Sequence, residues 1–104
     1  MTGGPLLGFH CSHEQYGPAD LLQLARDAEA HGFTAAMCSD HFAPWLRSQG
    51  HSGFTWSWLG AALERTQLSF GTVCAPGQRY HRAVIAQAAA TLAAMYGDRF
   101  WLAV

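Results

Sequence analysis

The sequence predicts an α/β fold, specifically the N-terminal β-α-β-α-β-α-β part of a (β/α)8 barrel. Three observations carry this. Four short apolar runs, at residues 6–10, 34–38, 68–73 and 100–104, are continuous rather than alternating, as parallel strands buried on both faces are. Patterns of helical period lie between them. The runs start at residues 6, 34, 68 and 100, so their spacings are 28, 34 and 32 residues, the length of a β-α unit. Eight such units make about 250 residues, the usual size of a barrel of this kind. The 104 residues here hold three and a half units and read as a single partial barrel domain, residues 1–104, with no linker or low-complexity segment. An open four-stranded sheet ending at Val104 has bare edges that something else must cover.

Each element has its own signals. After the first run, Pro18 opens a helix at the position where a missing N–H costs nothing, and Asp20 sits at the positive end of the helix dipole. The apolar stripe of that helix is Leu21, Leu24, Ala25 and Ala28, and Gly32 stops it. After the second run comes a stretch at residues 42–55, long for a β-α connection and containing Pro44, Gly50 and Gly53. Such a loop over a strand-end face reads as a lid or substrate wall. A second helix spans about residues 56–65, with Trp58, Leu59, Ala62 and Leu63 at helical spacing. The third, at about residues 82–96, is apolar nearly all round, broken before Thr91 only by Gln87.

Composition excludes several classes of function. The apolar fraction is 50% and the charged fraction 12%, the reverse of what disorder needs. A net charge of −1, without a basic or acidic block, gives no electrostatic footing for nucleic acid or an anionic membrane. No apolar run approaches the roughly 20 residues that span a bilayer. Residues 1–8 lack a basic region followed by an apolar stretch, so the cytoplasm is the expected location. All six basic residues are Arg; Lys and Asn are absent and Ile85 is the one Ile, the mark of a GC-rich bacterial gene. Three cysteines, Cys11, Cys38 and Cys74, argue against a disulfide framework. The low charge also implies that another surface covers much of this one.

In a parallel α/β sheet, chemistry gathers at the carboxyl ends of the strands. Polar residues follow three of the runs, in the segments His10 to Gln15, Cys38 to Phe42, and Val73 to His81. His41 is the strongest candidate, an imidazole at a strand end with carboxylates near it, suited to move a proton near neutral pH. Asp40 reads either as a cofactor ligand or as a loop cap, and Glu14 either as a partner of His41 across neighbouring strands or as a solvated loop acid. Trp45 stands in the long loop, where no periodicity asks for a core residue; Phe54, Trp56 and Trp58 read as packing. His10-x-x-His13 and Cys38-x-x-His41 do not have the spacing of a zinc pair, so no metal is expected. The cysteines read as small core residues rather than nucleophiles. No Walker or dinucleotide glycine motif is present.

Four segments then point to a family. They are Gly8-Phe9-His10-Cys11-Ser12-His13-Glu14-Gln15, Ser39-Asp40-His41-Phe42-Ala43-Pro44-Trp45, Gln49-Gly50-His51-Ser52-Gly53-Phe54, and Trp58-Leu59-Gly60-Ala61-Ala62-Leu63-Glu64-Arg65-Thr66. From Leu7 onward the sequence resembles the bacterial luciferase-like superfamily, in the branch that contains deazaflavin-dependent sugar-phosphate dehydrogenases. The segment Cys74-Ala75-Pro76-Gly77-Gln78-Arg79-Tyr80-His81 is similar to a sister group of flavin-type enzymes. The resemblance implies a (β/α)8 barrel, often dimeric through its second and third helices, and an oxidoreductase acting on a small organic substrate by hydride transfer or as a monooxygenase. It implies FMN or coenzyme F420 as cofactor. It gives His41 the substrate hydroxyl proton, has Trp45 stabilise the reacting groups, and sets Glu14 beside the histidine. Asp40 helps to hold the cofactor, and Val73-Cys74 matches a non-proline cis peptide that buttresses its ring.

There are departures. The segment around Val73 is about a residue short, Arg82 replaces the usual Pro, and the sequence stops before a glycine-rich turn that supplies another acid. Without Lys, no lysine clamp for a sugar phosphate exists in these residues. The sequence thus supports two expectations: an oxidoreductase completed by a C-terminal part or by a second copy, or a non-catalytic half-barrel acting as a subunit or interaction partner.

Overall fold

A computed structural model of the chain describes residues 6–74 and 79–104. The order of elements is β1 (Gly8–Cys11), α1 (Pro18–Ala30), β2 (Ala35–Cys38), α2 (Thr55–Arg65), β3 (Ser69–Val73), α3 (Arg82–Tyr96), a 3-10 turn (Gly97–Arg99) and β4 (Phe100–Ala103). The strands form one parallel sheet in the order β1-β2-β3-β4. Among the described residues, no helix is long and apolar enough to cross a membrane.

The register sorts side chains into two faces. Phe9, Ala36, Phe70 and Phe100 lie in one row across the sheet, and Cys11, Cys38, Thr72 and Leu102 in the next row on the same face. These meet Leu21 and Ala25 of α1, Trp58, Leu59, Ala62 and Leu63 of α2, and Ile85 and Leu92 of α3 in one apolar core. The opposite face carries His10, Met37, Gly71 and Trp101 in a single row. It is not buried as the continuous apolar runs predict: His10 and Val73 are exposed, and a shallow apolar hollow lies between Gly8, Ala35, Met37 and Trp101. The reason is geometric. In a closed barrel this face is filled by side chains from every strand around the ring, and four strands supply only one side of those layers.

Within that face Trp101 lies on Gly71, where a Cβ would overlap its indole ring. Gly71 is therefore required by close approach rather than by backbone conformation. On the helical side, Pro18 takes the first turn of α1 as the sequence predicts, and Gly32 follows the helix with φ of 100°, a conformation that favours glycine. Trp58 Nε1–H donates to the Pro18 carbonyl at 3.0 Å, which ties α2 to the start of α1. Arg99 donates to the carbonyls of Leu63, Thr66 and Leu68 at 2.7, 2.8 and 3.1 Å, so one guanidinium fixes the end of α2 to the approach of β4. The α3 helix is capped by the His81 ring, which accepts from the Ala83 N–H at 3.0 Å. Only Ile85 and Leu92 of α3 are buried, although the helix is apolar all round.

Candidate active site

The pairing Cys11↔Cys38 ends β1 and β2 at the same level. The two following segments, Ser12 to Glu14 and Ser39 to His41, consequently leave the sheet side by side. Glu14, 5% exposed, turns back beneath His41. Its Oε2 accepts from Ser39 Oγ–H at 3.0 Å and lies 3.2 Å from His41 Nδ1; Ser12 Oγ–H is 3.5 Å from Oε1. On the other side of the imidazole, Trp45 Nε1–H donates to His41 Nε2 at 3.3 Å. An indole N–H can only donate, so Nε2 must be the unprotonated nitrogen. His41 is then the neutral tautomer whose Nδ1–H donates to Glu14. The two rings meet edge to face, with centroids 5.6 Å apart. The structure thus brings Glu14, His41 and Trp45 into one chain of hydrogen bonds, and Glu14 is a buried partner rather than a solvated acid.

The long loop between β2 and α2 is fastened at its ends and open in its middle. Ser52 Oγ–H donates to the His41 carbonyl at 2.7 Å, the His51 N–H to the Glu14 carbonyl at 3.1 Å, and Thr55 Oγ1–H to the Ser39 carbonyl. Gly53 rests against Pro18 and the His13 ring. Between these points Phe42, Leu46 and Trp45 are exposed, Trp45 at 78%. A cavity of about 420 Å³ opens beside the loop, lined by His41, Phe42, Ser52, Phe54, Arg79 and Tyr80. Trp56 and Trp58 are buried as packing residues, whereas Phe54 faces outward onto this cavity.

Asp40 belongs to a second cluster. Its side chain is 2% exposed, and its Oδ1 accepts from Arg79 Nη2–H at 2.6 Å and from Tyr80 O–H at 2.8 Å. Arg79 also donates to the Tyr80 hydroxyl and lies 4.5 Å over that ring. Burial pushes the Asp40 carboxyl above the usual carboxylate range, and Arg79 opposes the shift. Burial and the nearby Asp40 carboxylate push the Cys74 thiol up, and burial does the same to Cys38, so neither is a ready nucleophile. The Trp56 indole N–H approaches the Asp40 carboxylate without completing a hydrogen bond.

Val73 projects from the end of β3 on the open face of the sheet, about half exposed, while Cys74 is buried. The Val73-Cys74 peptide is trans, as are all peptides among the described residues, in contrast to the cis bond that the resemblance implies. Cys74 N–H instead continues the ladder to the Ala103 carbonyl at 2.8 Å. Residues 75–78 of the same motif lie outside the described residues. Of the residues expected to hold a cofactor ring, Val73 alone presents an exposed apolar surface; the Asp40 side chain and Cys74 are buried.

Of the two histidines set aside as a zinc pair, His10 sits on the open sheet face and His13 is fully buried against Trp58, with centroids 4.9 Å apart. Among the described residues neither ring nitrogen of His13 has a hydrogen-bond partner, and burial lowers its pKa. Among the described residues no group of three or more His, Cys, Asp or Glu side chains is arranged to hold a metal ion. Sequence reasoning gave no role to Ser39, Thr55, Arg79 or Tyr80. The sole signal for the first and the last two was their place in the segments that follow β2 and β3.

Residues 5–104 match the model of the luciferase-like monooxygenase family. The chain belongs to that family. It is 49% identical over 100 residues to the F420-dependent glucose-6-phosphate dehydrogenase of Mycobacterium tuberculosis H37Rv, an alignment covering 94% of this chain and 30% of that enzyme. It is 48% identical over 104 residues to the F420-dependent glucose-6-phosphate dehydrogenase 2 of Rhodococcus jostii RHA1, covering 98% and 31%. Its fold superposes with a TM-score of 0.89 and 38% identity on an F420-dependent secondary alcohol dehydrogenase solved with an F420-acetone adduct, covering 93% of this chain and 30% of that one. The family member described here thus spans about 30% of the length of these relatives and has the fold of the first part of their barrel.

Proposed function

We propose that this chain carries the proton-accepting side of the active site of an F420-dependent oxidoreductase that oxidises an alcohol. One observation carries the reading: the buried Glu14 carboxylate holds Nδ1–H of His41, so that Nε2 is an acceptor, bonded here to the exposed Trp45, on a ring that lines the cavity. An alcohol whose O–H replaces the Trp45 N–H at Nε2 gives its proton to His41, and Glu14 stabilises the imidazolium that results. The displaced indole N–H of Trp45 is left beside the substrate oxygen, where a donor stabilises developing negative charge. Coenzyme F420, when bound, would supply the hydride acceptor for the carbinol C–H. On this reading Val73 would touch its ring, while the buried Asp40 and Cys74 would have to be uncovered to do so. The F420-dependent relatives support F420 over FMN. The reading also requires strands that cover the open face of the sheet, supplied by a C-terminal part of the barrel or by a second copy.

A fluorescence titration of the chain with coenzyme F420 and, in parallel, with FMN tests this. Saturable binding of F420 alone supports the reading. Binding of FMN alone moves the protein to the flavin-type sister group. No binding of either favours a second reading, that of a non-catalytic subunit, for which the exposed apolar side chains Val84 and Met95 of α3 argue. Sedimentation then separates self-association from a monomer waiting for a different partner.

A further inference from the structure

Ser39 stands one residue beyond β2; it is not among the residues that line the cavity, and among the described residues it makes no hydrogen bond to His41. Its hydroxyl has two contacts of opposite sense. It accepts from the His13 backbone N–H at 3.0 Å and lies 3.0 Å from Glu14 Oε2. A backbone N–H can only donate, so the single hydroxyl proton is directed to Glu14. The Ser39 backbone is held as well, its N–H donating to the Cys11 carbonyl at 3.2 Å and its carbonyl accepting from Thr55. The hydroxyl is therefore fixed in place and in polarity by β1, by the segment after β1 and by the first residue of α2. Glu14 Oε2 receives two donors, Ser39 O–H and His41 Nδ1–H, whereas among the described residues Oε1 has only the 3.5 Å contact with Ser12.

We infer that Ser39 is a positioning residue: through Glu14 it selects the His41 tautomer that leaves Nε2 free to take a proton. Without it, Glu14 is a carboxylate on rotatable bonds that keeps only the 3.5 Å contact with Ser12 and the bond to His41, and among the described residues the exposed 3.3 Å bond from Trp45 is then the one other contact that distinguishes the two nitrogens of His41. The importance of this tautomer for turnover rests on the alcohol-oxidation reading above. The geometry does not.

The test is the ring 15N pattern of His41 by long-range 1H–15N NMR on the chain and three variants. The wild type is expected to show a protonated Nδ1 and an unprotonated Nε2, with well-separated shifts. In Ser39→Ala the two shifts should move toward a common value as the tautomers exchange. Ser39→Thr, which keeps the hydroxyl, should restore the separation, and Ser12→Ala should leave it unchanged. A folded Ser39→Ala chain with the wild-type pattern overturns the inference, as does a Ser12→Ala chain that loses it. So does a wild type protonated at Nε2, a result that stands by itself if Ser39→Ala does not fold. Failure to bind F420 would sink the functional reading and leave these 15N patterns as they are.

Discussion

The carboxyl ends of β1 and β2 differ sharply from the α3 helix. At the strand ends, Glu14, Ser39 and His41 are each held by more than one partner, and the long loop is tied down at Ser52 and Thr55. Along α3, two residues out of fifteen are buried, and Val84 and Met95 stand in the open although the helix is apolar all round. Neighbouring β-α units build the first region between themselves, because parallel pairing brings successive strand ends side by side. The second region depends on surfaces that adjacent units do not supply. A buried, hydrogen-bonded cluster at the strand ends can therefore be largely assembled by a part of the fold whose outer and concave surfaces still need covering.

The largest effect should come from the strand-end cluster. In an active assembly, His41→Ala is expected to lower the rate of alcohol oxidation about 10²- to 10⁴-fold, the usual contribution of a positioned base. Affinity for the cofactor should change little. Steady-state kinetics beside an F420 titration would check both, and equal losses in rate and affinity would give His41 a place in the cofactor site instead. Next comes the core beneath it. Leu59 of α2 is fully buried, so Leu59→Ala should cost about 2–5 kcal/mol in urea unfolding. Gly71→Ala ranks below that. The new methyl overlaps Trp101 on the open face, where the ring has room to shift, and the cost of such overpacking is about 1–3 kcal/mol. A cost near zero would mean that the indole does not rest on Gly71 in solution.

Much of this was legible in the sequence. Continuous apolar runs and the position of Pro18 gave the elements to within a residue or two, because hydrophobic period and proline chemistry are local properties. The second helix starts at Thr55 rather than Trp56, since its first residue spends its hydroxyl on Ser39 instead of joining the apolar stripe. The proximity of Glu14 to His41 was one of two open readings, and the register Cys11↔Cys38 is what decides between them. The partners of Asp40 were not legible, because Arg79 and Tyr80 reach it from the next strand over and no local pattern encodes that meeting. The trans peptide at Val73-Cys74 went against the resemblance; the ladder bond from Cys74 to Ala103 accounts for it.

His13 gives a smaller effect, set by pH. It is buried with both ring nitrogens unpartnered, and desolvation lowers its pKa below 6.5, while the charges of Glu14 and Asp40 pull it back up. The unfolded chain takes up this proton first as pH falls. Stability from His13 is thus fully present above about pH 6.5 and is lost as pH drops below it toward the lowered folded value. The raised pKa of Asp40 acts in the opposite sense at lower pH. Unfolding free energy measured from pH 7.5 to 5.5 should fall more steeply in the wild type than in His13→Phe. Equal slopes would mean that His13 finds a partner in solution.

The smallest effect bears most directly on the contrast between the two regions. Met95 is 62% exposed on α3, so Met95→Ala should change stability by no more than about 0.5 kcal/mol in the isolated chain, as surface substitutions do. Leu59→Ala and Met95→Ala remove similar side chains from neighbouring helices, so the difference between their costs measures how far α3 is left uncovered. Because an association that covers α3 stabilises by mass action, the cost of Met95→Ala would then rise with protein concentration while that of Leu59→Ala stayed nearly constant. A concentration-independent cost near zero would mean that α3 faces water in this chain, and that the exposed apolar side of the helix is not what holds two copies together.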